Sequence, residues 1–288
     1  MIVYSVDFHK GVMKMNWNLI IPQNPEKLPL NRKYVILSDQ HRDKYGSKAG
    51  DFWKNRDLYA ESLKFYYHNG FTLIENGDGE ELWQFNLKEI IKSNEEIYQV
   101  LSKFYIKNRL HLIYGNHNID MKFRIFHRYW SNKYFPGLRF KPLVFIGDNI
   151  LVTHGHQWDL VYKLGFIPVR LIVTLWKYME LIGFSSFDPS IPADNPDHGK
   201  RIDRRIGKWG AKRRYIMICG HTHHAKFKSD GEWYFNSGCG TGERRVTGLE
   251  IIRRQIFLVE WLKKKEGGVR KKIIYQTDLP KKPVFEKD

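Results

Sequence analysis

Short apolar runs alternate with helical patterns along this chain. Lys33–Ser38 (KYVILS) reads as a buried strand. Over Arg56–His68, Leu58, Leu63, Phe65 and Tyr66 recur at helical spacing. Phe71–Glu75 is a second strand. Leu87–Phe104 reads as one helix, with Ile90, Ile91, Ile97, Val100, Leu101 and Phe104 along its apolar face. Leu110–Tyr114 is a third strand. Leu143–Ile146 and Ile150–Thr153 flank a turn at Gly147-Asp148-Asn149. Tyr215–Cys219, Trp233–Phe235, Val246–Ile252 and Gln255–Trp261 follow as strands, with Lys271–Tyr275 as an edge strand before a loose tail. Strand and helix alternate early and strands dominate late. That order predicts an α/β fold with a mixed sheet system and no internal repeat.

Composition narrows the picture. The 288 residues are 42% hydrophobic, enough for one large domain with a buried core. Lys and Arg total 48 against 31 Asp and Glu, a net charge of +17, so anionic ligands are expected. Cys219 and Cys239 are too few for a disulfide framework and too far apart for a CxxC knuckle. Free thiols point to a reducing compartment, and the N-terminal sequence lacks a signal-peptide pattern. The expected location is cytoplasmic. The apolar stretch 159–184 is interrupted by Lys163, Arg170, Lys177 and Glu180, which argues against a membrane span. It has three readings: core packing, a homodimer interface, or peripheral contact with a membrane or acyl chain. The expected layout is a catalytic domain over 1–262, with a helical cap insertion at about 159–214. A basic edge strand and tail would follow over 263–288.

The chemistry sits where the strands end. Asp39-Gln40-His41 follows the first strand, Gly77-Asp78 the second and Gly115-Asn116-His117 the third. His154-Gly155-His156 follows ILVT, and Gly220-His221-Thr222-His223 follows YIMIC. Asp39 to Asp78 spans 39 residues, and the next two intervals, to Asn116 and His154, span 38 each. That is about one strand-helix unit, so successive polar groups should emerge along one sheet edge. The interval from His154 to His221 is 67, which marks the insertion. Taken singly, each fragment has a bland reading. A second DxH, Asp7-Phe8-His9, lies off the spacing and is read as coincidence.

The order DxH, GD, GNH, HGH, GHTH resembles the calcineurin-like metallophosphoesterase superfamily, over about residues 33–240. The resemblance implies a four-layer α/β/β/α sandwich and two divalent metal ions. Asp39, His41, Asp78 and His223 would hold the first metal. Asp78, Asn116, His154 and His221 would hold the second, with Asp78 shared. An N/O ligand set suits Mn, Fe or Zn. The implied reaction is hydrolysis by a two-metal-activated hydroxide, with His117 assisting the leaving group.

The sequence departs from the family pattern at Asn118, where an acidic residue usually follows the GNH histidine. Gly79-Glu80-Glu81-Leu82-Trp83 and the segment from His154 to Asp159 resemble the UDP-2,3-diacylglucosamine pyrophosphatase branch. Glu80 and Glu81 also read as a charged first helical turn. Arg42, Asn118 and His156 are candidate substrate-side residues. So are Arg201, Arg204 and Arg205 in the basic run Lys200–Arg214, expected to face the phosphate site as a cap. The favoured partner is a phosphorylated small or amphiphilic molecule. The alternatives are a lipid-precursor pyrophosphatase, or a nuclease or nucleic-acid binder using the basic charge.

Overall fold

The computed structural model describes residues 21–48, 50–123, 128, 133–159, 196–228, 232–242, 244–264 and 266–281. In chain order its strands are β1 Lys27–Leu28, β2 Tyr34–Leu37, β3 Thr72–Asn76, β4 Leu110–Ile113, β5 Leu143–Ile146 and β6 Ile150–Thr153. β7 Ile216–Cys219, β8 Tyr234–Asn236, β9 Arg245–Ile252, β10 Gln255–Lys263 and β11 Val269–Asp278 follow. The helices are α1 Arg56–His68, α2 Leu87–Ser93, α3 Glu95–Ile106 and α4 Pro196–Arg213. Two sheets result, ordered β11-β10-β9-β2-β3-β4 and β1-β5-β6-β7-β8.

The alternation of strand side chains sorts the core into layers. Tyr34 and Ile36 of β2 meet Val144, Val152 and Ile218 of the other sheet. Val35 and Leu37 of the same strand pack outward against α1 and α3 through Leu58, Leu63 and Leu101. On the far side, Leu151 and Met217 pack against Ile202, Ile206 and Trp209 of α4. The order is helices, sheet, sheet, helix: the four-layer α/β/β/α sandwich.

Three elements depart from the sequence reading. The single helix expected over Leu87–Phe104 breaks at Asn94, whose side-chain amide donates to the carbonyls of Ile90 and Asp43 at 2.8 Å each. An Asn side chain competes for helix carbonyls, and both halves bury apolar residues in the same core, so periodicity cannot see the break. β1 is two residues long and too short to show a period. Its pairing with β5 alone defines it.

The third departure is the cap. Residues 196–213 form α4, an outer layer of the sandwich, because Ile202, Ile206 and Trp209 form an apolar stripe that the sheet covers. The rest of the expected insertion, including the apolar stretch up to 184, lies outside the described residues. No helix among the described residues is long and apolar enough to cross a membrane.

Candidate metal centre

β2, β3 and β4 run parallel, so their carboxyl ends open on one side. β6 and β7 are parallel in the second sheet. Asn76 ties the two edges together. Its amide donates to Thr153 O at 3.1 Å, and its carbonyl lies 2.9 Å from His154 Nδ1. The main-chain N–H of His221 donates to Asp39 Oδ2 at 3.0 Å.

At these ends the backbone turns sharply. Asp39, His41, Asp78, His221 and His223 all have left-handed φ values, between 48 and 66°. Such a conformation costs a non-glycine residue about 1 kcal/mol or more and tends to gather at functional sites. Gly115 shows how tightly the loops meet. A Cβ there would overlap Asp78 Oδ1.

The turns bring three overlapping groups together: Asp39 with His41 and His223, His41 with Asp78 and His117, and Asp78 with His154 and His221. Within each group the ligand atoms lie within 4.8 Å of one another. Asn116 joins the last group, its Oδ1 3.2 Å from His154 Nε2. Asp39, Asp78 and His154 are at most 1% exposed.

The hydrogen bonds behind the rings fix which nitrogen faces inward. His41 Nδ1 lies 2.7 Å from Glu81 Oε2, and His154 Nδ1 lies 2.9 Å from Asn76 O. Both acceptors require an N–H at Nδ1, so a neutral ring carries its lone pair on Nε2. His41 Nε2 then faces His223 Nε2 at 3.1 Å, and His154 Nε2 faces Asp78 Oδ2 at 3.0 Å. His221 Nε2 lies 3.0 Å from Asp159 Oδ2, which puts that ring's lone pair on Nδ1. Acceptor atoms therefore converge on acceptor atoms. Buried acceptors hold such a geometry only around protons or cations.

The charges respond accordingly. Burial pushes the carboxyl of Asp39 up, yet His154 and His223 hold it at about 2. Burial also raises Asp78, while His154 and His117 pull it well below the usual carboxylate range. Burial lowers His154, but Asp78 and Asp39 raise it to about 9. A divalent cation must compete with that proton, so metal affinity should rise with pH. The donors are imidazole, carboxylate and amide oxygen, a set suited to hard and borderline divalent cations.

The segment after Asp78 has a different role from the charged helical turn read from sequence. Arg42 and Glu80 form a parallel bridge, and Arg42 N donates to Gly79 O at 2.8 Å. Arg42 is not a substrate-side residue. It is fully buried, bidentate to Glu75 at 2.6 and 2.9 Å, and bonded to Glu80 at 2.5 Å. Tyr59 donates to Glu75 and Tyr98 to Glu80. Directly following DxH, Arg42 turns inward because these carboxylates already occupy the space below.

Asn118 is likewise buried, with both ends of its side chain bonded inside the protein. It is 1% exposed; Oδ1 accepts from Gly115 N at 2.7 Å and Nδ2 donates to Glu80 Oε2 at 2.9 Å. Its side chain does not cap the turn Ile119–Lys122. Glu81 supplies the acid that His117 lacks in sequence, with Oε1 2.9 Å and Oε2 2.7 Å from His117 Nδ1. Trp83 stacks on the His117 ring at 4.1 Å. His117 N also donates to Asp78 Oδ1 at 2.8 Å. Burial lowers the His117 pKa, and the charges of Glu81 and Asp78 outweigh it and raise it. Burial likewise lifts the Glu81 carboxyl, but His117 and His41 hold it at about 2.

His156 is buried beside the cluster, its ring 5.4 Å from His154 and 6.4 Å from His221. Burial, with His154 and His221 nearby, keeps it neutral, well below its usual range. Its Nδ1 has no partner among the described residues. Arg201 and Arg204 are exposed on the outer face of α4, and Arg205 donates to Trp158 O at 3.4 Å. The structure does not bring these three into the cluster. His198 does approach it. Its Nε2 lies 3.0 Å from Asp159 Oδ1, the carboxylate whose other oxygen meets His221.

Sequence reasoning passed over Asn76 and Glu75, met Glu80, Glu81, Trp83 and Asp159 only as parts of segments resembling a family branch, and read Arg42 as substrate-side. Glu81 and Trp83 carried one signal, their place directly after the Gly-Asp strand end. Asp159 carried only its place in the segment after His154, and Asn76 carried none, since their partners are far away in sequence.

No protein-family model matches the chain, and no curated protein matches it. Solved structures do. The cold-active protein-tyrosine phosphatase of a Shewanella species is similar at 13% identity and a TM-score of 0.44, over 86% of this chain and 82% of that one. Vacuolar protein sorting 29 from Cryptosporidium parvum is similar at 13% identity and a TM-score of 0.43, over 86% and 98%. A putative 5'-nucleotidase from Staphylococcus aureus is similar at 10% identity and a TM-score of 0.33, over 89% and 56%. Similarity this low carries no functional argument, so function must be read from the chain's own geometry. The layer order of that geometry is the four-layer sandwich implied by the sequence resemblance to the calcineurin-like metallophosphoesterases.

Proposed function

We propose that this protein is a metal-dependent hydrolase of phosphate esters or pyrophosphates. One observation carries the reading. Lone pairs of buried and half-buried imidazoles and carboxylates converge in three groups linked through His41 and Asp78, an arrangement that protons or cations must balance.

Asp39, His41, Asp78 and His223 would hold one divalent cation. Asp78, Asn116, His154 and His221 would hold a second. Bound there, the pair would supply Lewis acidity toward a phosphoryl group.

The chain's own residues do the rest. Glu81, the Asn76 carbonyl and Asp159 hold His41, His154 and His221 in the required tautomers. His117, its pKa raised by the charges of Glu81 and Asp78 and its ring stacked on Trp83, would in its protonated form donate from Nε2 to a leaving oxygen. The net charge of +17 draws anionic substrates toward the protein as a whole.

The test uses purified protein with Mn²⁺, p-nitrophenyl phosphate, its bis-ester, a nucleoside diphosphate sugar and single-stranded DNA. Metal-dependent turnover of an ester or pyrophosphate, lost in Asp78→Ala, is the expected outcome. Turnover of DNA alone would move the reading to a nuclease. Near-normal turnover in Asp78→Ala would remove the site assignment.

A further inference from the structure

We infer that Glu81 is the positioning carboxylate of this centre, setting the tautomer and tilt of His41 and His117 together. The inference rests on the hydrolase reading above for its kinetic test, and on the chain's own geometry for everything else.

A single oxygen, Oε2 of Glu81, lies 2.7 Å from Nδ1 of His41 and 2.7 Å from Nδ1 of His117. The two rings meet edge to face at 4.6 Å. Both rings belong to groups that could hold a metal, and on the hydrolase reading His41 would be a ligand and His117 would assist the leaving group, so a single side chain would serve both binding and chemistry. Each Nδ1–H points back at Glu81, which leaves each Nε2 for the reaction side.

Glu81 is itself held on several sides. Its N–H donates to Arg42 O at 3.1 Å, and its carbonyl accepts from Phe85 N at 3.0 Å. Trp83 N donates to Oε1 at 3.3 Å. Beneath it, the buried Arg42 ties Glu75 to Glu80 and so fixes the strand of backbone that carries Glu81. The residue is 6% exposed, so little water competes for its carboxylate.

The same geometry explains Asn118. Its Nδ2 donates to Glu80 Oε2 at 2.9 Å. Aspartate at that position would set a second carboxylate against Glu80 instead. The acid that steers His117 therefore comes from the loop after β3, and the residue after His117 must be a donor.

Glu81→Gln tests this. The side chain keeps its size, loses its charge and turns one oxygen into an N–H donor facing an Nδ1–H. Three readouts apply. In metal-free protein, at a pH high enough to leave both rings neutral, ¹⁵N chemical shifts should show both as Nδ1–H tautomers in the wild type, with at least one altered in the variant. Mn²⁺ affinity, measured by titration calorimetry, should fall about 10- to 100-fold. At saturating Mn²⁺, kcat loss should grow as the leaving group changes from p-nitrophenol to an aliphatic alcohol, with KM little changed.

Asn118→Asp added to Glu81→Gln should not rescue. Unchanged tautomers and wild-type Mn²⁺ affinity in Glu81→Gln, or rescue by Asn118→Asp, would overturn the inference. Should Glu81→Gln fail to fold, Glu81→Asp takes its place. Its carboxylate is one methylene shorter and should leave one ring misaligned. If the wild type hydrolyses nothing, the hydrolase reading fails, while the tautomer readout still decides the role of Glu81.

Discussion

Replacing Arg42 by methionine separates a structural cation from a substrate-binding one. The methionine side chain would keep the stem's apolar packing and remove the guanidinium. Glu75 and Glu80, 3% and 0% exposed, would then face each other without a cation. Three charge-assisted hydrogen bonds, at 2.6, 2.9 and 2.5 Å, would be lost at once. Removing one partner of a buried ion pair costs about 3–5 kcal/mol, because the remaining charge stays desolvated. For a domain of this size that lowers the melting temperature by on the order of 10 °C. Lys200→Met breaks a comparable-looking pair with Asp197, but both side chains are over 70% exposed. Such surface pairs contribute about 0–1 kcal/mol, so that variant serves as the control. Differential scanning fluorimetry and urea denaturation of both variants are the assays. Arg42→Met that melts with the wild type and raises KM for a phosphate ester would refute the reasoning, and make Arg42 the substrate contact its place after DxH suggests.

Two further outcomes are expected. Gly115→Ala drives a methyl into Asp78 Oδ1, so Asp78 must move. Divalent-metal binding, followed by calorimetry, should weaken far more than the melting temperature falls. Glu26 is pushed up by burial but held at about 2 by His111 and Lys141, below its usual 4.5. A depressed carboxyl adds stability that is present above about pH 4.5 and lost as pH falls toward 2. Stability profiles of Glu26→Gln and the wild type, measured by urea melts, should therefore converge in acid and separate above about pH 4.5.

The sequence by itself determined the strands longer than β1 and the residues at their ends, and its family resemblance implied the layer type. Hydrophobic periodicity is local, and β2, β3, β4, β6 and β7 each announce themselves within a few residues. The regular intervals between Asp39, Asp78, Asn116 and His154 follow from the length of one strand-helix unit, so they too can be read along the chain. What only the tertiary structure decided is what stands behind those residues. Arg42 turns inward because Glu75, 33 residues away, meets it there. Glu81 reaches two imidazoles because the Arg42 backbone pairs with its segment. Asp159 finds His221 across 62 residues. α4 became an outer layer because the sheet offered an apolar face to cover its stripe. Hydrogen-bond partners and ring tautomers depend on distances between loops distant in sequence, and neither periodicity nor spacing encodes those distances.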